Sequence, residues 1–268
     1  MRWIIGDIHG MLRPLVAVID AVRGLDRSPR FLFVGDYVNR GPDSRGVIDL
    51  LLTLDNASFV RGNHDDIFAQ VLHDETFAPN ATGANRIMAY QWFFQHGLDA
   101  TFESYGADYA QLEHLARQPN FDRLHAMVEL VPESHRRFIR TLPAVIEEED
   151  LFVAHAKWPV DEPDDSPPIA RRLAASAPLR HNMLWGRYGD AEIARTKAWR
   201  RVGAFGHTPV ATYAVVRESG KLLPIVAHHM ILLDTAAALG PTGRLTAFCF
   251  ETGKAVQSDP RGQIVNTP

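Results

Sequence analysis

Six side chains of metal-binding type stand just beyond short apolar runs in this 268-residue chain: Asp7, His9, Asp36, Asn63, His155 and His207. The runs and their sequels are Trp3-Ile4-Ile5 before Gly6-Asp7-Ile8-His9-Gly10, Phe31 to Val34 before Gly35-Asp36-Tyr37-Val38-Asn39-Arg40-Gly41, Ser58-Phe59-Val60 before Arg61-Gly62-Asn63-His64-Asp65, Leu151 to Ala154 before His155, and Val202 to Phe205 before Gly206-His207. Ligands in α/β folds bind beyond the carboxyl ends of strands, so these loops can converge on one site. Hard oxygens with imidazoles, and no thiolate, suit manganese, iron, zinc or magnesium. Six donors exceed the needs of one open catalytic ion and fit two ions sharing a carboxylate, with Asp36 the natural bridge. The neutral amide of Asn63 keeps the negative charge low enough for a phosphate to enter. Arg40 and Arg61 flank the group, and guanidiniums clamp phosphoryl oxygens bidentately. Metals, arginines and the glycines of these loops together point to phosphoryl chemistry.

Such convergence needs a layered scaffold, and the apolar pattern supplies one. Trp3-Ile5, then Leu12, Leu15, Val16, Ile19 and Val22 at steps of three and four, then Phe31-Val34 read as β-α-β. A helix through Val47, Ile48, Leu51 and Leu52, a strand at Ser58-Val60 and a short helix at Ile67-Leu72 continue it. Alternation of this kind implies an α/β fold. From about 74 to 142 the pattern is helical or irregular and reads as a helical insertion, with Trp92, Phe93 and Phe94 in its core or, as the alternative, one of them lining a substrate groove. Strands are expected again at Leu151-Ala154, Val202-Phe205, Ala214-Arg217, Leu222-Ala227, Ile231-Asp234 and Arg244-Phe250. Between them, Trp158 to Pro178 carries five prolines and the acidic residues Asp161, Glu162, Asp164 and Asp165, which predicts a long exposed loop. His73, His96, His114, His125, His135 and His181 have no motif around them and are expected in solvent; His228-His229 lacks a neighbouring ligand motif.

With 46% apolar residues the chain has material for a large core, which excludes disorder. Lys and Arg number 28 against 32 Asp and Glu, a net charge of −4 too even for a polybasic nucleic-acid or membrane-surface protein. No specific nucleic-acid binding and no membrane partner are expected. Leu222 to Leu239 is broken by Pro224, His228, His229 and Asp234 and is not a membrane span. The single cysteine, Cys249, excludes an internal disulfide and a Cys-rich zinc module. The short apolar start before Gly6 is not read as a signal segment, so the expected location is the cytoplasm.

The ordered set GDIHG, GDYVNRG, RGNHD, a lone His after LFVA, and GHTP resembles the calcineurin-like metallophosphoesterases, in the branch holding PPP-type serine/threonine phosphatases and bacterial diadenosine tetraphosphatases. The likeness runs from residue 3 to about 250 and extends to Leu184-Trp185-Gly186-Arg187, Ile231 to Thr235 and Gly243 to Thr246. It implies one domain over residues 1–268, with two mixed β-sheets sandwiched between helical layers. It also implies that Asp7, His9 and Asp36 hold one divalent ion and Asp36, Asn63, His155 and His207 a second, with manganese the first choice. Arg40, Arg61 and Asn63, with Arg187 more loosely, would bind phosphate, and His64 would be the general acid. A water shared by two such ions would be acidified to a hydroxide nucleophile for in-line displacement.

Four departures from the family pattern bear on substrate. Asn39 stands where protein phosphatases usually have the Asp that supports the catalytic imidazole, and Asp65 where Glu is commoner. Lys157 and Ala236 each replace a usual glycine. The preferred expectation is a phosphomonoesterase acting on phosphoserine or phosphothreonine in protein. Symmetrical hydrolysis of diadenosine tetraphosphate is the alternative that Asn39 and Asp65 favour. A non-catalytic metal-binding scaffold is the third reading, and the complete ligand set with His64 argues against it.

Overall fold

The computed structural model describes residues 1–78 and 85–265. Residues 79–84, which belong to the expected insertion, lie outside the described part. Eleven strands are described: β1 Arg2–Ile5, β2 Arg30–Phe33, β3 Ala57–Phe59, β4 Val145–Glu147, β5 Leu151–Ala154, β6 Val202–Phe205, β7 Ile225–Ala227, β8 Met230–Leu232, β9 Leu245–Cys249, β10 Ala255–Ser258 and β11 Ile264–Val265. They form a sheet in the order β11-β10-β9-β1-β2-β3 and another in the order β4-β5-β6-β8-β7. Both are mixed: β1, β2 and β3 run parallel, as do β5, β6 and β8, while the flanking strands are antiparallel.

The layers follow from the period of two along each central strand. In β1, Ile4 faces the space between the sheets while Trp3 and Ile5 face a helical layer; in β2, Leu32 faces inward and Phe31 and Phe33 outward. Val153 and Ala204 close the inter-sheet core from the other side, and Phe152 and Phe205 belong to the second outer core. Each strand is thus apolar on both faces, the signature of a sheet covered twice. A one-residue slip would exchange the two faces of every strand. The helix Leu12–Leu25 covers the first sheet by burying Leu15, Val18, Ile19 and Val22, spaced three and four apart.

The insertion is helical, through Arg86–Phe93, Asp99–Ser104, Tyr109–Arg117, Phe121–Glu129 and Glu133–Thr141, and no strand falls between residues 74 and 142 among the described residues. Several expectations need correction. Ala214–Ser219 is a helix, because the Asp190 carboxylate accepts from the Ala214 amide at its start and Gly220, at φ +65°, ends it. Trp158 to Pro178 is an exposed loop only in part, over most of residues 161–168. Trp158, Ile169 and Leu173 are buried, Ile169–Ala175 is helical, and Asp164 is buried where its carboxylate accepts from the Arg200 and Arg201 amides. His135 is buried between the Tyr105 hydroxyl at 2.9 Å and Asp49 at 3.0 Å. No helix among the described residues is long and apolar enough to cross a membrane.

Candidate active site

In-register parallel strands deliver the ligand residues to one edge. Ile5 pairs with Phe33, and Phe205 pairs with Leu232, so the loops that follow start level. Asp7, Asp36, Asn63, His155 and His207 follow β1, β2, β3, β5 and β6 within four residues of the strand ends, and all five are buried. The turns that aim them are tight. His9, Asp36, Asn39, Arg40 and His207 have φ between 48° and 72°, a left-handed backbone that costs roughly 1–3 kcal/mol at a non-glycine residue. Glycine is required beside two of the carboxylates: a Cβ on Gly206 would lie 1.9 Å from Asp7 Oδ1, and one on Gly62 would lie 2.1 Å from Asp36 Oδ1.

Backbone donors hold the carboxylates in place. Asp7 accepts from the His207 amide at 2.9 Å, and Asp36 Oδ1 accepts at 2.9 Å from the His64 amide at the start of the helix Asn63–His73, the positive end of its dipole. Asp65 ties two loops together, since Oδ2 accepts from the Asp36 and Gly62 amides at 2.8 Å each and Oδ1 accepts from the Tyr37 amide at 3.0 Å.

The imidazoles are oriented from behind. His9 Nδ1 donates to the Val38 carbonyl at 3.1 Å and His155 Nδ1 donates to the Val34 carbonyl at 2.8 Å. That tautomer turns the Nε2 lone pair of each ring inward. His9 Nε2 then lies 3.4 Å from Asp36 Oδ2, while His155 Nε2 lies 3.5 Å from the same oxygen and 2.9 Å from Asn63 Oδ1. His207 Nδ1 is 3.0 Å from Asn63 Oδ1. Lone pairs of His9 and His155 facing carboxylate and amide oxygens repel one another, and the same arrangement is favourable around cations. Asp36 Oδ2 stands between two imidazoles, as a carboxylate shared by two ions must. The donor atoms of Asp7, Asp36 and His155 lie within 4.8 Å of one another, as do those of His9, Asp36 and His64.

Charge in the site follows burial. Desolvation, then Asp234 and Asp36, push the Asp7 carboxyl up, and burial raises Asp36 and Asp234 as well. Burial, then Asp36, takes Asp65 up to about 7. Burial pushes His155 down to about 4 and lowers His9, His64 and His207. Neutral imidazoles among costly carboxylates are an environment that bound cations stabilise.

On the cleft side a cavity of about 220 Å³ is lined by Asp36, Asn63, His64 and His207 together with the arginines Arg40 and Arg187 and an aromatic wall. His64 is fixed by the Asn39 amide, whose Nδ2 donates to Nδ1 at 2.9 Å, while the Thr101 hydroxyl donates to Asn39 Oδ1 at 2.8 Å. That leaves the neutral ring's proton on Nε2, 3.3 Å from Arg40 Nη2. Two donors so close together converge on one acceptor position, that of an anion's oxygen.

Residues 2–178 match the calcineurin-like phosphoesterase family. The chain belongs to that family. Over 63 residues it is 41% identical to a symmetrical bis(5'-nucleosyl)-tetraphosphatase of Coxiella burnetii, a stretch covering 24% of this chain and 22% of that protein. The match thus spans about a fifth of that relative's length. It is 24% identical over 269 residues to the asymmetrical bis(5'-nucleosyl)-tetraphosphatase of Oceanobacillus iheyensis, covering 92% of this chain and 87% of the relative. In fold it resembles a protein serine/threonine phosphatase from Saccharomyces cerevisiae, with a TM-score of 0.51, 14% identity and coverage of 100% of this chain and 81% of the other.

Within this calcineurin-like phosphoesterase the residues read from the sequence meet at one place, with one correction. Arg61 is buried and turned away from the cavity: Nη1 donates to Asp66 at 2.8 Å, Nη2 to the carbonyls of Ile139 and Arg140 at 3.2 and 2.7 Å, and Nε to that of Leu142 at 3.3 Å. With four of its five N–H groups engaged, it staples the helix end at 139–142 to the loop before Asn63. Arg187 lines the cavity and donates to Thr208 Oγ1 at 3.1 Å. Two contributors escaped sequence reasoning. Asp234 is buried two residues past β8, where a sixth strand end carrying an acid is the same signal as the other five. Thr101, which sets the Asn39 amide, comes from the insertion and carries no motif.

Proposed function

We propose that this protein is a dinuclear-metal-dependent phosphoester hydrolase. The observation that carries the reading is Asp36 Oδ2 set 3.4 and 3.5 Å from two inward-facing imidazole nitrogens, with Arg40 and Arg187 at the mouth of the same cavity. Asp7, His9 and Asp36 would hold one divalent cation, and Asp36, Asn63, His155 and His207 the other. When bound, such a pair acidifies water and offsets the charge that builds up during in-line displacement.

The chain's own groups supply the rest. Arg40 and Arg187 orient the phosphoryl oxygens, which fixes the ester where reaction requires it. An anion seated between Arg40 and His64 favours the imidazolium, which burial alone disfavours, and Nε2 then carries the proton for the leaving oxygen. Asn39 holds the neutral ring through Nδ1, its amide must turn to offer Oδ1 once that nitrogen is protonated, and Phe93 packs edge-on to the ring with centroids 5.0 Å apart.

A specific observation favours dinucleoside polyphosphates over phosphoserine or phosphothreonine. Asn39 brings no negative charge to His64, so its imidazolium is less supported than beside a carboxylate. A phosphoanhydride, whose leaving group is itself a stable anion, depends less on that proton than an alkyl ester does. The tetraphosphatase relatives support the same choice. The deciding experiment compares kcat/KM of the manganese-loaded enzyme on diadenosine tetraphosphate, a phosphoserine peptide and p-nitrophenyl phosphate. His64→Ala is expected to lower turnover of alkyl phosphates by roughly 10²- to 10⁴-fold while the bound metal content holds. Equal rates on an alkyl phosphate would remove His64 as the acid.

A further inference from the structure

The run Trp92-Phe93-Phe94 reads first as core, yet Trp92 is 51% exposed at the rim of the cavity that holds Asp36, Arg40 and His64. It is the penultimate residue of the helix Arg86–Phe93 of the insertion and lies beside Trp185, the last residue of the helix Ala177–Trp185. The two indoles are parallel within 11° with centroids 5.9 Å apart, an offset stack in which Trp185 backs Trp92. Its inner end touches the chemistry: Trp185 is 6.4 Å from the His207 ring, and Phe93 lies between Trp92 and His64, 5.3 and 5.0 Å from each. An exposed indole is ordinary on a protein surface; what sets this one apart is its place in the wall of the cavity that holds Asp36, Arg40 and His64.

We propose that Trp92, backed by Trp185, is the specificity-determining surface on which the base of a nucleoside-bearing ester stacks while Arg40 and Arg187 hold its phosphates. The inference rests on the hydrolase reading above. The placement discriminates among aromatic substrates. Phe93 is the ring next to His64, 5.0 Å from it, and would meet a phenyl group bonded directly to the ester oxygen. Trp92 is one ring further out, 5.3 Å from Phe93, which suits a base set off from the phosphates by a sugar. Stacking on an indole is tolerant of base identity, so the surface selects nucleosides as a class.

The test measures kcat/KM for manganese-loaded wild type, Trp92→Ala and Trp92→Phe on diadenosine tetraphosphate, inorganic tripolyphosphate and p-nitrophenyl phosphate. Trp92→Ala is expected to lose on the order of tenfold or more on the nucleotide alone, with the other two probes within about threefold and Trp92→Phe retaining most of the activity. An equal loss on all three probes, or a loss confined to the nitrophenyl ester, overturns the proposal; the latter places a phenyl ring on this wall. Wild type inert on every probe would fail the hydrolase reading instead. The wall is then read by tryptophan fluorescence: quenching by ADP but not by ribose 5-phosphate, abolished in Trp92→Ala, supports it, and quenching that survives the substitution, or none, refutes it.

Discussion

Arg61 separates two accounts of the same motif, and its replacement by alanine decides between them. As a phosphate ligand it would contribute charge-assisted hydrogen bonds to substrate, worth about 1.5–3 kcal/mol each, and its loss would raise KM roughly ten- to hundredfold with little change in stability. The structure gives the opposite expectation. Its guanidinium is paired with buried Asp66 at 2.8 Å and with three carbonyls from residues 139–142. Removing one partner of a buried ion pair costs about 3–5 kcal/mol. Asp66 keeps the Thr76 hydroxyl and the amides of Phe77 and Ala78 as donors, which places the cost near the lower end, about 3 kcal/mol. For a chain of this size that lowers Tm by roughly 6–12 °C. Differential scanning fluorimetry and steady-state kinetics on p-nitrophenyl phosphate, run on Arg61→Ala and Arg40→Ala in parallel, read both quantities. Arg61→Ala should melt early with KM nearly unchanged, and Arg40→Ala, whose side chain is at the exposed cavity mouth, should do the reverse. A Tm within about 2 °C of wild type together with a tenfold rise in KM for Arg61→Ala would refute the structural assignment and return the guanidinium to the phosphate.

Two more outcomes follow from the same geometry. In metal-free protein the raised carboxyls of Asp7, Asp36, Asp65 and Asp234 make the native state bind more protons than the unfolded chain from about pH 4 to 7, which lowers stability as pH rises; the lowered imidazoles of His9, His64, His155 and His207 act oppositely below about pH 6.5. The terms offset each other in acid and only the destabilising one persists above neutrality, so the Tm gain on adding manganese should be larger at pH 8 than at pH 5.5, and a gain independent of pH would contradict the ligand set. Gly206→Ala forces a methyl group to within 1.9 Å of Asp7 Oδ1 and should weaken manganese binding by roughly ten- to hundredfold in calorimetry, with unaltered affinity counting against Asp7 as a ligand.

The layered scaffold was legible because both faces of each central strand are apolar and because the helix Leu12–Leu25 repeats at three and four. Where reading failed, the deciding partner lay far along the chain. Ala214-Val215-Val216-Arg217 carries β-branched residues, and only Asp190, 24 residues away, supplies the cap that starts a helix there. The proline-rich stretch after Trp158 looks like a loop until Glu147 accepts the Ile169 and Ala170 amides and Arg201 encloses Asp164. Such contacts have no local period to reveal them.

The site divides along the same line. Its ligands could be read because parallel strands in register turn a sequence rule, an acid or imidazole just past an apolar run, into proximity in space. Asp234 obeys that rule as fully as His207 does, so its omission reflects a motif read too narrowly. Arg61 and Thr101 could not have been assigned this way, since one is defined by carbonyls 78 to 81 residues distant and the other by an amide 62 residues distant. The cleft side, moreover, is built largely by the insertion: Thr101 sets Asn39, the Gly97 carbonyl accepts from the Arg40 amide at 3.2 Å, and Trp92 and Phe93 wall the cavity. The shared strand ends therefore fix what reaction the site can run, whereas the insertion, free of any motif, shapes what it can run that reaction on.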